Sequence, residues 1–193
     1  MESHKLAFKL FFDPASSAPG PGEFVPVFHS WIQQHSVPDH LLIDVADYSH
    51  VPEGPQTVLV SHEAIFAIDY AEARPGLQYF RKQPIVGAES FAERLRKVFR
   101  IELESCAKLE EDPRLKGRVR FRTDEIVFRI HDRLLAPNEP GVFAELRPDL
   151  QAFASELFHG APVTLEQRGT AQDLFEVRIK SARSAKLSDL ASK

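Results

Sequence analysis

The stretch LLIDVADYSHVPEGPQTVLV, residues 41–60, decides the fold class. Leu41 to Tyr48 is an apolar run of strand length that ends in polar residues. Pro52-Glu53-Gly54-Pro55 is a turn by composition, and Thr57 to Val60 begins a second strand that can continue through Ala64 to Ile68. A connection this short joins antiparallel neighbours, because a parallel crossover needs a dozen or more residues.

The same reading extends in both directions. Leu6 to Phe12 alternates Leu6, Phe8 and Leu10 on one face with Ala7, Lys9 and Phe11 on the other, which predicts a strand closed by Asp13-Pro14. A Ser/Ala/Pro/Gly-rich loop over 15–22 leads to a helix bearing Phe24, Phe28, Trp31 and Ile32, with Pro26 tolerable only in its first turn. Leu77 to Arg81 follows the Pro75-Gly76 turn as a strand. The longest helix is predicted from about Ser90 to Leu109. Ser90 and Glu93 form a capping box, and Phe91, Leu95, Val98, Phe99, Leu103 and Cys106 form the apolar face. Arg118 to Thr123 and Ile126 to Ile130 read as two further strands. A third helix carries Phe143, Leu146, Leu150, Phe153 and Leu157, kinked by Pro148 or starting near it, and a hairpin spans Val163 to Gln167 and Leu174 to Lys180.

The expected order is therefore β-α-β-β-β-α-β-β-α-β-β: an α+β fold with a largely antiparallel sheet and three helices on one face. The stretches 6–68 and 126–180 read as two βαββ-like halves in architecture, without residue-by-residue similarity. Residues 1–180 are expected to form one domain and 181–193 a flexible polar tail.

Composition narrows the setting more than the activity. No apolar run approaches the ~20 residues that span a bilayer, and the N-terminal segment lacks a cleavage signature, so no membrane association and a cytoplasmic location are expected. The one cysteine, Cys106, cannot form an internal disulfide and reads as a small core residue. The net charge of −4 is unevenly spread. Residues 1–90 carry 5 Lys and Arg against 11 Asp and Glu, residues 91–193 carry 19 against 17, and six of the eight histidines lie in the acidic part. Glycine-rich phosphate loops, nucleophile elbows and paired C-x-x-C motifs do not occur in the sequence.

Two constellations could carry chemistry. Asp44, Asp47, His50, His62 and Glu63 are oxygen and nitrogen donors suited to a divalent metal or to general-base catalysis. If the strands flanking Pro52 to Pro55 pair, about three of them, with Asp47, His50 and His62 as the metal set, could converge. The competing reading is a solvated polar strand end. Arg74, Tyr79, Arg81 and Lys82 form the second set, in which a guanidinium with a phenol suits a carboxylate or phosphate, and Tyr79 and Arg81 share a strand face. The competing reading is basic residues at a turn. Arg118, Arg120 and Arg122 form a basic strand face, but the acidic chain and the opposite orientation of Phe121 argue against nucleic acid.

The strings FHSWIQ (28–33), LLIDVADYSHV (41–51), GLQYFRK (76–82) and RTDEIVFRIHDRLLAPN (122–138) resemble a family of bacterial proteins of about this length whose members are labelled hypothetical. The resemblance spans most of residues 5–180 and implies a bacterial origin and one complete domain. It implies no activity, cofactor or site residue. The expected function is a non-catalytic module for a small anionic ligand or a protein partner, with homodimerisation through a sheet edge or helix face. The alternative is a metal-dependent enzyme, a hydrolase, built on Asp44, Asp47, His50 and His62.

Overall fold

Strand β1, Leu6–Phe12, is the axis of the molecule, and all seven of its residues are buried. Its alternation works as the sequence predicts. Leu6, Phe8, Leu10 and Phe12 enter the main hydrophobic core, whereas Ala7, Lys9 and Phe11 line the opposite face. Phe8 is the hub of that core. Its ring lies 5.0 Å from Phe99, 5.2 Å from Phe128 and 5.5 Å from Phe153, so one side chain joins two strands and two helices.

The structure, a computed structural model, describes residues 1–51, 54–184, 187 and 190. After β1 come α1 (Val25–Gln33), β2 (Leu42–Asp47), β3 (Pro55–Ser61), β4 (Ala64–Asp69), β5 (Gly76–Arg81), α2 (Phe91–Glu111), β6 (Phe121–Ile130), α3 (Pro140–Leu157), β7 (Val163–Arg168) and β8 (Phe175–Ser181). Eight strands form one sheet in the order β2-β3-β4-β5-β1-β6-β8-β7, with every neighbouring pair antiparallel. The fold is α+β. Two units share a topology: a strand, a helix, then a meander whose last strand returns to the first. In one unit β5 returns to β1, and in the other β8 returns to β6. The units meet where β1 pairs with β6, Phe8 opposite Phe128.

The helices share one face of the sheet. Trp31 of α1 meets Phe66 of β4, and Phe99 of α2 and Phe153 of α3 meet Phe8. The Ser90–Glu93 capping box forms as expected: the Glu93 amide donates to Ser90 Oγ and the Ser90 amide to Glu93 Oε2. Pro26 lies in the first turn of α1, and Pro148 lies inside a continuous α3 that starts earlier, at Pro140.

Two segments are divided differently from the sequence reading. Residues 57–68 form a hairpin rather than one strand. The reversal at His62-Glu63 is fastened by Ser61 Oγ, which donates to the Ala64 carbonyl and accepts from the Ala64 amide. Conversely, the expected strands at 118–123 and 126–130 are one strand, β6. The change of alternation near Thr123–Glu125 is absorbed by a register shift against β1 rather than by a turn, and Arg118 and Arg120 precede the strand. Pro52 and Glu53 of the expected turn lie outside the described residues. So does most of the expected tail, although Leu187 and Leu190 are helical and buried against the core.

Gly76 opens β5 where it crosses β1, and a Cβ there would stand 2.1 Å from the Leu10 carbonyl oxygen. Backbone cannot yield as a side chain can. Gly76→Ala is expected to cost about 2 kcal/mol or more in urea denaturation, and an unchanged midpoint would show that the two strands can separate there freely.

Candidate functional site

The predicted metal set is not brought together. Asp47 pairs with Thr57 across the β2–β3 hairpin, and His62 lies five residues further along, beyond Ser61. At ~3.3 Å per residue, Asp47 and His50 are roughly 17 Å or more from His62. Asp44, Asp47, His50 and His62 are all exposed. The Asp44 and Asp47 carboxylates accept from the Val45 and Ser49 amides, and the latter bond holds the Asp47 carboxyl below its ordinary range. Glu63 accepts from the Leu41 amide at 2.8 Å and so ties the start of β2 to the next turn. Among the described residues no three His, Cys, Asp or Glu are arranged to hold a metal ion.

The second predicted set is divided between the two faces of the sheet. Tyr79 and Arg81 share the helix-covered face, as their spacing predicts, and both are buried. There they meet His40, which the sequence reading did not single out. His40 Nδ1 lies 2.7 Å from the Pro38 carbonyl and therefore carries the proton of the neutral ring, so Nε2 accepts from the Tyr79 hydroxyl at 2.8 Å. Burial lowers the His40 pKa and raises that of Tyr79 to about 12. Arg81 donates to the Gln83 and Pro84 carbonyls, and Lys82 to the Ser61 carbonyl. These bonds anchor the end of β5 to the segment that follows it and to the end of β3. Deeper on the same face, Glu102 of α2 is fully buried, accepts from the Leu10 amide, and leaves Oε2 unpartnered. Burial pushes its carboxyl well above the ordinary range.

Arg74, at the opposite end of β5, belongs to the other face. Its guanidinium stacks on Phe11 at 3.8 Å and forks onto Glu125. No helix of the described residues covers this open face, and the strand registers map it in rows. One row runs Arg168, Glu176, Arg129, Ala7, Phe80, Ile65, Val60, Asp44 from β7 to β2. The next runs Glu166, Arg178, Val127, Lys9, Gln78, Ala67, Val58, Ala46. The β2–β5 half is therefore mostly apolar, with Asp44 and Gln78 its polar members in these rows, and the β6–β8 half is mostly charged.

Lys9 stands at the boundary. It is 2% exposed and pairs with Asp69, 4% exposed, at 2.9 Å. Burial lowers the Lys9 pKa while Asp69 opposes that shift. Arg129 reaches Asp69 at 3.8 Å, Glu176 at 2.7 Å and the Gln78 side-chain oxygen at 2.6 Å. Arg178 is held by Glu72 of the β4–β5 connection, by Glu176 at 3.4 Å and by Glu125 at 3.9 Å. Beside this network lies a cleft of about 460 Å³ lined by Glu72, Arg129, Arg168, Gly169, Asp173, Leu174, Glu176 and Arg178. Arg168 is exposed, and among the described residues its guanidinium makes no hydrogen bond or ion pair. In contrast, Arg118, Arg120 and Arg122 are each paired, with Glu23, Glu110 and Asp124.

Sequence reading missed Arg129, Arg168 and Arg178 because charged alternation on a strand reads as a solvated face. The available signal was that all three follow the same period opposite an apolar inner face. Comparison with protein-family models and with curated proteins finds no match for this chain.

Two expectations test the open face. Lys9→Met leaves Asp69 buried and should cost about 3–5 kcal/mol. The double change Lys9→Met/Asp69→Asn should recover part of that in a denaturation cycle, and additive losses would show that the pair is not coupled. His131 stacks on Phe80 at 4.1 Å with Nε2 buried and unpartnered, and burial, aided by Arg129, pushes its pKa down to about 4. The unfolded chain protonates near 6.5, so this group's contribution is present above that pH and is lost as pH falls toward 4. His131→Gln should flatten the fall in melting temperature between those values.

Proposed function

We propose that this chain is a non-catalytic binding module that takes a small anion in the Arg129–Arg168–Arg178 cleft. Arg168 carries the reading: it is the cleft guanidinium with no partner among the described residues, one strand from Arg178 and two from Arg129, both already fixed by carboxylates. Pre-oriented forks lose little entropy on binding an anion, and each charge-assisted hydrogen bond strengthens as water leaves the cleft. This relocates the expected anion site. Of Arg74, Tyr79, Arg81 and Lys82, Arg74 alone reaches the same network, through Glu125.

A metal-dependent hydrolase would need Asp47, His50 and His62 to meet, and they lie at opposite ends of one hairpin. The setting that accompanies the binding reading is a bacterial cytoplasm, with self-association through a sheet edge or helix face.

Isothermal titration at constant ionic strength with inorganic phosphate, succinate and acetate tests the proposal. At least one anion should bind, and Arg168→Ala should weaken it about tenfold, the loss of one charge-assisted bond. Binding that survives Arg168→Ala and Arg129→Gln unchanged would place the anion elsewhere and overturn the assignment.

A further inference from the structure

Glu72 occupies the cleft from the side in the manner of a bound ligand. It lies in the β4–β5 connection and its side chain is 54% exposed, yet both of its carboxylate oxygens engage Arg178 Nη2, at 2.6 and 2.8 Å. The backbone that delivers it is unfavourable: Glu72 and Ala73 stand at φ 60 and 54, in the left-handed region that residues with a Cβ rarely adopt. Neither residue gains burial from this conformation, since both are exposed. What the conformation gains is one turn bond, from the Arg74 amide to the Ala71 carbonyl at 3.2 Å, and the contact with Arg178.

Glu176 and Glu125 also stand near Arg178, at 3.4 and 3.9 Å, but each is bound more closely to another guanidinium, Arg129 at 2.7 Å and Arg74 at 2.8 Å. A carboxylate that replaced Glu72 would therefore meet a guanidinium still in need of a close partner. The connection is pinned on either side of the strained pair. The Ala71 amide donates to Asp69, and Arg74 forks onto Glu125. The Arg74 amide also closes over the pair onto the Ala71 carbonyl at 3.2 Å, so release of Glu72 trades that turn bond and the Arg178 contacts for relaxation of the two strained residues.

Resting on the cleft reading above, we infer that Glu72 is a resident stand-in for one carboxylate of the ligand, and that the ligand is a small dicarboxylate. One carboxylate displaces Glu72 and takes its place on Arg178. The second pairs with Arg168, whose guanidinium, on the neighbouring strand, has no partner among the described residues. Glu72 thus sets the threshold for binding: the ligand must out-compete an internal carboxylate, and its displacement frees the β4–β5 connection to change shape.

The test is titration of succinate, acetate and inorganic phosphate into the wild-type protein and Glu72→Gln, with Glu72→Ala as a second variant and circular dichroism melts to confirm folding. Succinate is expected to bind Glu72→Gln about tenfold more tightly than wild type. It should also bind more tightly than acetate or phosphate, and lose that advantage in Glu72→Gln/Arg168→Ala. Wild-type binding that does not tighten in either folded Glu72 variant would overturn the stand-in role while leaving the cleft intact. No binding of any anion by wild type or variants would overturn the cleft itself, and a preference for phosphate would overturn the dicarboxylate assignment.

Discussion

Lys9 and Asp69 form an ion pair at 2.9 Å on a sheet face without a helical layer, and most of that face is organised by the need to keep them dry and matched. Charges removed from water must be compensated nearby, and the compensation has to be complete. Asp69 is therefore shared with Arg129, Arg129 with Glu176 and Gln78, and Glu176 with Arg178. Phe11 lies under the same network, with Lys9 and Arg74 over its ring. Long charged side chains lying flat across the sheet do the work that helices do on the other face.

The two faces of the sheet are consequently different materials. The covered face is an aromatic core around Phe8, and the polar groups inside it are either anchored, like His40 and Tyr79, or fully buried, like Glu102, whose carboxyl burial pushes well above its ordinary range. The open face is a charge lattice in which a guanidinium can be presented without a partner. A module that binds an anion needs such a lattice. The cationic groups must be fixed before the ligand arrives, and fixed carboxylates such as Glu176 hold them at a known place. Glu72 differs from those carboxylates because it comes from a loop and reaches Arg178 through a strained backbone.

The candidate sites show where sequence reasoning stops. Asp47, His50 and His62 looked convergent because their strands do pair, but an antiparallel hairpin carries residues near its turn away from residues beyond its far end. Tyr79 and Arg81 do share a face, as period-2 spacing requires, yet that face is the buried one. Arg74 is on the opposite side and at the other end of β5. For the arginines of the cleft, Arg129, Arg168 and Arg178, spacing along each strand was legible. Their adjacency across three strands was not, because it depends on β6 pairing with β8 and β8 with β7.

What the chain alone determined is local. The alternation in Leu6–Phe12 set a strand with two usable faces, the Ser90–Glu93 box set the start of the long helix, and short turns set antiparallel pairing, because each rests on residues within a few positions of one another. Tertiary structure alone decided which face of β1 would be covered, that Lys9 would find Asp69 sixty residues away, and that Glu72 would reach Arg178 across the open sheet. Those contacts depend on strand order and register, which are set by how the whole sheet closes its core rather than by any one segment.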